Sequence, residues 1–312
     1  MIVSASYRTD IPAFYARWFM ARLAAGYARV ANPYGGGAYE VSLRPSEVDG
    51  FVLWTRNMRP LLPTLDRVRE VAPFSVQFTV TGYPRSLESS VIATNDAVEQ
   101  LRELRHRFGP RVAVWRYDPI VITSELDAAA HARGFGALAT ALAGAVDEVV
   151  LSFVNPYRKT RRNLDRAARR HGFAWRDPPA EEKQALLASL AAIAADAGIT
   201  ATLCTQPELL APGLGEASCI DAGRLSDVAG RAIAVRENGN RPGCRCALSR
   251  DIGAYDTCPH GCVYCYAVAD RDRAVARHRA HDPDAESLGD MAVPPAAGER
   301  PAARPQPLGA RR

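Results

Sequence analysis

Three cysteines stand in the spacing Cys-x3-Cys-x2-Cys within Cys258-Pro-His-Gly-Cys262-Val-Tyr-Cys265. On one tight loop, Cys258, Cys262 and Cys265 can hold three irons of a [4Fe-4S] cubane and leave the fourth iron without a protein ligand. An open iron admits chemistry: a small molecule offering an amine and a carboxylate can chelate it and accept an electron. His260 lies inside this loop, where it either donates to a cluster sulfur, shifting the potential, or points to solvent. Asp251 and Asp256 nearby read as turn formers.

The chain has seven cysteines, an odd number, all beyond residue 200 and without a secretory start. Disulfides fit this poorly and ligation of a metal or cluster fits it well. The remaining four are Cys204, Cys219 and the close pair Cys244 and Cys246, enough for a second cluster. With every iron ligated by protein, that second [4Fe-4S] cluster would relay electrons or stabilise its surroundings. The plainer reading makes Cys204 and Cys219 small buried hydrophobes. Zinc on Cys244, Cys246, Cys258, Cys262 and Cys265, with His260, is the competing metal. Structural zinc prefers paired knuckles, however, and a tight Cys-x-Cys pair beside a triplet matches that poorly.

The run Tyr255-Asp256-Thr257-Cys258-Pro259-His260-Gly261-Cys262-Val263-Tyr264-Cys265-Tyr266-Ala267 closely resembles the cluster loop of radical S-adenosylmethionine proteins, including spore photoproduct lyase and DNA-repair-photolyase-like proteins. Tyr264, just before the last cysteine, is part of the resemblance and is carried over as a cofactor-binding residue. The resemblance implies reductive cleavage of S-adenosylmethionine at a [4Fe-4S] cluster, with electrons from a reductase or a ferredoxin- or flavodoxin-type donor. From Ser4-Ala5-Ser6-Tyr7-Arg8-Thr9-Asp10-Ile11-Pro12 through Leu53-Trp54-Thr55-Arg56-Asn57 to these cysteines, the chain is similar to the family called domain of unknown function 1848. That family supplies no substrate. Radical enzymes place the cluster loop after their first strand, whereas here it follows every predicted strand. The glycine-rich stretch that binds the methionine amine after their second strand is not visible.

The elements that must position these residues alternate. Segments rich in β-branched and aromatic residues at Ile2 to Tyr7, Phe51 to Thr55, Ser75 to Thr81, Val112 to Arg116, Glu148 to Phe153 and Thr200 to Cys204 read as parallel strands. Between them, Ile11 to Ala25, Pro60 to Val71, Asn95 to Phe108, Glu125 to Ala145 and Glu181 to Ala197 carry apolar residues at helical spacing. A hairpin around Tyr34-Gly35-Gly36-Gly37 interrupts the repeat after the first helix. The expected fold is α/β, a partial TIM-like barrel of about six parallel β/α units spanning 1–205. A cysteine-rich extension over 206–281 packs on it, with short helices near Gly223 to Ala229 and from Tyr266 to His281. A disordered tail rich in Ala, Pro, Gly and Arg covers 282–312.

Polar residues follow the strands, and in a parallel barrel these ends form the active face. Arg8, Asp10, Arg116, Asp118 and Asn155 are therefore the candidates for orienting a substrate, although each Arg-x-Asp pair reads equally well as a structural salt bridge. A net charge of +5 is compatible with a nucleic-acid partner without arguing for one, and the run Arg158-Lys159-Thr160-Arg161-Arg162 reads as a solvated helix start. No stretch approaches the roughly 18 apolar residues of a membrane span, and cytoplasmic residence is the expectation. The function expected is that of an iron-sulfur radical enzyme. The alternative is a non-catalytic iron-sulfur or zinc protein that carries electrons or serves as an interaction module.

Overall fold

The computed structural model describes residues 1–32 and 37–289. Tyr34, Gly35 and Gly36 of the hairpin turn and the tail from 290 lie outside the described residues. In chain order the strands are β1 (Ile2–Ala5), β2 (Tyr27–Ala31), β3 (Ala38–Ser42), β4 (Gly50–Thr55), β5 (Phe74–Thr79), β6 (Ala113–Ile120), β7 (Ile122–Thr123), β8 (Glu148–Phe153), β9 (Trp175–Arg176), β10 (Thr200–Leu203), β11 (Leu214–Glu216) and β12 (Ser249–Asp251). The helices are α1 (Ile11–Phe14), α2 (Ala16–Ala25), α3 (Leu65–Val71), α4 (Thr94–Phe108), α5 (Ala128–Leu142), α6 (Arg158–His171), α7 (Ala180–Asp196), α8 (Ala222–Ala229) and α9 (Arg271–Ala280).

The protein is a mixed α/β fold on one eight-stranded sheet in the order β12-β1-β4-β5-β6-β8-β10-β11. Every pairing within this sheet is parallel. All eight C-terminal strand ends therefore share one edge. The six strands read from the sequence are its centre, and the expected hairpin forms from antiparallel β2 and β3.

Because strand side chains alternate between faces, each face has its own cover. Val3, Leu53, Val76, Trp115 and Leu151 belong to the large core under the helices, where Trp115 stacks on Phe135 of α5 at 4.7 Å. Ile2, Val52, Val114 and Val150 face the other way, into a second cluster with Cys204, Cys219, Ile220, Leu225, Ile233 and Cys246. Helix α4 shows why the periodic segments fold as they do. Ala97, Val98, Leu101 and Leu104 make one buried stripe, and Gly109 at φ +97° ends the helix by returning its N–H to the Arg105 carbonyl.

The basic run opens α6 as expected, with Arg158, Arg161 and Arg162 exposed and Thr160 buried. The structure departs from the sequence reading in two places. The region 206–281 does more than pack on the preceding elements: it supplies both outer strands, β11 and β12, and covers one sheet face. Residues 282–289, assigned to a disordered tail, pack on α2 and the hairpin. Trp18 Nε1 donates to the Ala285 carbonyl at 2.8 Å, and the Arg29 N–H donates to the Glu286 carbonyl at 2.9 Å. Among the described residues no helix is long and apolar enough to cross a membrane.

Arg224 of α8 fastens the cysteine-rich region to the sheet. It is buried and donates to both carboxylate oxygens of Asp147 at 2.9 and 3.0 Å and to Glu148 at 2.6 Å. Burial opposes ionisation of Asp147, but the hydrogen bonds and charges of Arg224 and Arg111 outweigh it and hold the carboxyl below its usual range. A depressed folded-state pKa means stability that is present above the unfolded value, about 4, and lost as pH falls through the folded one. Urea midpoints measured downward from pH 5 should fall for the wild type. Asp147→Asn should be less stable at pH 7 and show a shallower acid slope, and an unchanged slope would exclude this linkage.

Candidate metal centre

The cysteine loop begins where β12 ends, and the pairing of β12 with β1 matches Ile2 to Ser249 and Ser4 to Asp251. Asp251 is buried and accepts from Ser4 Oγ and Ser6 Oγ at 2.7 Å each and from the Tyr7 and Gly253 N–H groups at 3.0 Å each. Expected as a turn former, it is instead the anchor between the last strand and the first. Asp256 fits the turn reading, with φ +57° and its side chain accepting from the Ala269 N–H.

From there the loop crosses the ends of β1, β4 and β5. The Ser90 N–H donates to the His260 carbonyl and the Val263 N–H to the Leu87 carbonyl, both at 3.0 Å, and Glu88 forms a β-bridge with Cys262. Tyr15 Oη donates to the Thr257 carbonyl at 2.6 Å. Gly261 makes the turn between the first two cysteines at φ +76°, where a Cβ would lie 2.2 Å from Ser89 Oγ and 2.6 Å from Arg271 Nε.

Two buried polar groups hold this loop. Asp10 caps α1 through the Ala13 N–H at 2.9 Å, accepts from Thr55 Oγ1 and the Arg56 N–H at 2.7 Å each, and meets His260 Nε2 at 2.8 Å. His260, for which solvent was one expectation, is 3% exposed, and its Nδ1 is buried without a partner. The second group joins Arg56 Nη1 to Glu88 at 2.9 Å, Arg56 Nη2 to Tyr264 Oη at 2.6 Å and Thr81 Oγ1 to Glu88 at 2.6 Å, with Tyr264 Oη also donating to Glu88. Tyr264 is thus a buried strut of the loop.

Cys258, Cys262 and Cys265 are free and partly buried. Burial raises all three thiols. Cys262 is pushed up to about 12, with Arg56 opposing the rise, while the backbone N–H groups of Ala267 and Val268 oppose it at Cys265. Cys258 is raised further by Asp10, Cys265 and Cys262, so the three sulfurs share one electrostatic environment. Such thiols ionise when a bound metal supplies the positive charge. Among the described residues no group of three or more His, Cys, Asp or Glu is set to hold a metal ion. The ligands of a cubane stand farther apart than those of a single ion, because irons and sulfides lie between them.

The other four cysteines gather as a second group. Cys219 Sγ lies 3.6 Å from Cys204 Sγ, with Cys246 beside Cys219 and Cys244 beside Cys246. Arg116 and Asp118 belong here: Arg116 Nη1 lies 2.9 Å from Cys219 Sγ, Nη2 donates to Asp118, and Ser152 Oγ donates to Asp118 as well. Arg8 lies at the β12 anchor, 3.7 Å from Asp251 and against the Tyr7 and Tyr255 rings. Asn155 is exposed on the connection from β8 to α6. The five strand-end candidates are therefore divided between Arg8 and Asp10 near the trio, Arg116 and Asp118 at the second group, and Asn155 outside both. Glu88 and Arg241, which the sequence reading passed over, carry no local motif.

The fold and site define an α/β protein with a parallel sheet whose cysteines collect in two groups. Residues 2–267 match the family model described as Domain of unknown function (DUF1848), and the chain belongs to that family. No curated protein and no solved structure matches the chain.

The turn at Gly261 is testable. Gly261→Ala imposes a left-handed backbone cost of about 1–2 kcal/mol and a clash with Ser89. It should lower the melting temperature and leave Cys258, Cys262 and Cys265 more reactive toward a thiol reagent. Wild-type melting and thiol reactivity in this variant would show that the turn does not shape the loop.

Proposed function

We propose that the protein is a radical S-adenosylmethionine enzyme on a partial barrel, with a [4Fe-4S] cluster on Cys258, Cys262 and Cys265. The observation that carries this reading is spatial order. Enzymes of that class bear the cluster loop after their first barrel strand, and here the loop follows a strand that is last in sequence. Yet β12 stands at the head of the sheet, before β1, β4, β5, β6 and β8. In this reading the sequence is rearranged while the loop keeps equivalent neighbours, with β12 counted as the first strand ahead of the six strands expected within 1–205.

In this order β1 takes the place of the second strand, whose following turn receives the methionine amine in that class. The turn here is Ser6-Tyr7-Arg8-Thr9-Asp10, and although it is not glycine-rich, Thr9 Oγ1 is buried without a hydrogen-bond partner, and Arg8 Nε, also without one, faces the Asp251 carboxylate at 3.7 Å. Such groups are costly unless a ligand satisfies them. We assign Arg8 to the methionine carboxylate and Thr9 to the amine. When bound, the cluster supplies one electron to the sulfonium of S-adenosylmethionine, generating methionine and a deoxyadenosyl radical for an unidentified substrate. The chain's own work is to hold the loop through Asp10 and His260, to brace it through Arg56, Glu88 and Tyr264, and to keep water from the reacting centre. A reductase or a ferredoxin- or flavodoxin-type protein must deliver the electron.

A second reading rests on His260. A histidine whose one ring nitrogen is paired with a carboxylate and whose other is free has the arrangement of a metal ligand. If Nδ1 completes a Cys3His set, the site is saturated and the protein is a zinc or iron-sulfur binding module without this catalysis.

Incubating the reconstituted, reduced protein with S-adenosylmethionine separates the two. The enzyme reading expects 5′-deoxyadenosine, lost in Cys262→Ala and reduced in Thr9→Val through a raised KM. A colourless protein with stoichiometric zinc, or a full cluster that yields no 5′-deoxyadenosine, would overturn it.

A further inference from the structure

We propose that Cys204, Cys219, Cys244 and Cys246 form a second metal centre, ligated by four thiolates and closed to substrate. This inference does not depend on how the trio is used. The four come from three separate stretches of chain. Cys204 follows β10, Cys219 follows β11, and Cys244 and Cys246 lie in the segment leading to β12. They meet on the sheet face that α8 covers, among Val114, Val150, Ile220 and Ile233. Four cysteines from three segments gathered side by side, three of them buried and Cys244 partly so, is more than the packing of small hydrophobes requires.

The donors around them strengthen the case. Besides Arg116 at 2.9 Å from Cys219, Arg241 Nη2 lies 3.8 Å from Cys204 Sγ and the Ile220 N–H donates to Cys246 Sγ at 3.4 Å. The backbone N–H groups of Asn240 and Cys246 lie beside Cys244. Three of the four sulfurs thus have an N–H donor within 3.8 Å and the fourth has N–H groups next to it. A neutral thiol is a weak acceptor that gains little from such company, whereas a metal-bound thiolate is stabilised by N–H donors that spread its charge. Two guanidinium groups also offset the surplus negative charge that four thiolates leave on a divalent ion or a cubane.

The sulfurs stand in a file, Cys204 to Cys219 to Cys246 to Cys244, and not in a closed shell, in keeping with the absence among the described residues of a group set to hold an ion. Sulfurs without a metal have no common atom to gather round. Ligation removes the thiol protons and supplies that common centre. A zinc ion, a single iron and a [4Fe-4S] cluster share this all-thiolate chemistry. The centre would clamp β10, β11 and the segment before β12 to one another, holding in place the strand from which the trio's loop departs. Arg116 and Arg241 are then positioning residues of this centre.

The test uses the full chain with Cys258, Cys262 and Cys265 all changed to Ala, so that failure at the trio and failure here remain distinct. Purified anaerobically and reconstituted with iron and sulfide or with zinc alone, this variant should retain metal, and adding Cys244→Ser and Cys246→Ser should remove it. Iron with acid-labile sulfide identifies a cluster, and zinc or iron without sulfide a single ion; both support the centre. A folded triple variant that binds no metal under either condition overturns it. Should the triple variant fail to fold, the comparison moves to the otherwise wild-type chain. There Cys244→Ser/Cys246→Ser must lower metal content while the trio's reduced-cluster signal persists, and unchanged metal content overturns the proposal. Arg116→Gln should keep the metal but shift the absorption or potential of this centre, which a purely structural arginine would not do.

Discussion

The pairing of β12 with β1, sealed by Asp251, is the interaction on which the rest of the molecule depends. A buried carboxylate that accepts four hydrogen bonds is worth its desolvation only when all four are present. This one draws its donors from β1, the turn after it and Gly253. It fixes the end of the last strand against the end of the first, and so decides where the cysteine loop starts. Gly253 permits the approach, because a Cβ there would lie 2.1 Å from Ser6 Oγ. Without this register, Asp10 could not reach His260, nor could Glu88 bridge to Cys262.

Electrostatics explains why so many polar residues crowd the loop. Three thiols in a desolvated pocket resist ionisation, and the nearby charges are mixed: Arg56 favours a thiolate at Cys262 while Glu88 and Asp10 oppose one. A bound positive charge would shift that balance toward thiolates. The same logic runs through the second group, where Arg116 faces both Cys219 and Asp118. The trio's loop lies over the ends of β1, β4 and β5 and the second group among the apolar residues of one sheet face, so one sheet serves two assemblies of sulfur.

Much of the architecture was legible in the sequence because it is locally encoded. The six central strands announce themselves by β-branched and aromatic runs, and α4 and α7 by apolar residues at helical spacing. The spacing of Cys258, Cys262 and Cys265 is a local motif as well. What was illegible is non-local or short. Strands β11 and β12 are only three residues each, Leu-Gly-Glu and Ser-Arg-Asp, with no alternation to read. The Asp10–His260 contact joins residues 250 positions apart, and Glu88 sits in a run with no distinguishing pattern. Arg116 and Asp118, expected just past the end of a strand, lie inside β6, which runs on to Ile120, and which cysteine group they face depends on sheet order, which no local signal carries.

The central claim is that three thiolates grip a cubane and leave one iron free. Electron paramagnetic resonance of the reduced, reconstituted protein, recorded with and without S-adenosylmethionine in which the methionine amine carries nitrogen-15, tests it most directly. The account expects the cluster's g-values to move on addition, with a hyperfine coupling from the labelled nitrogen. A reduced cluster whose spectrum is the same with and without saturating ligand would mean that no corner is open, and the proposed enzymology would fall with it.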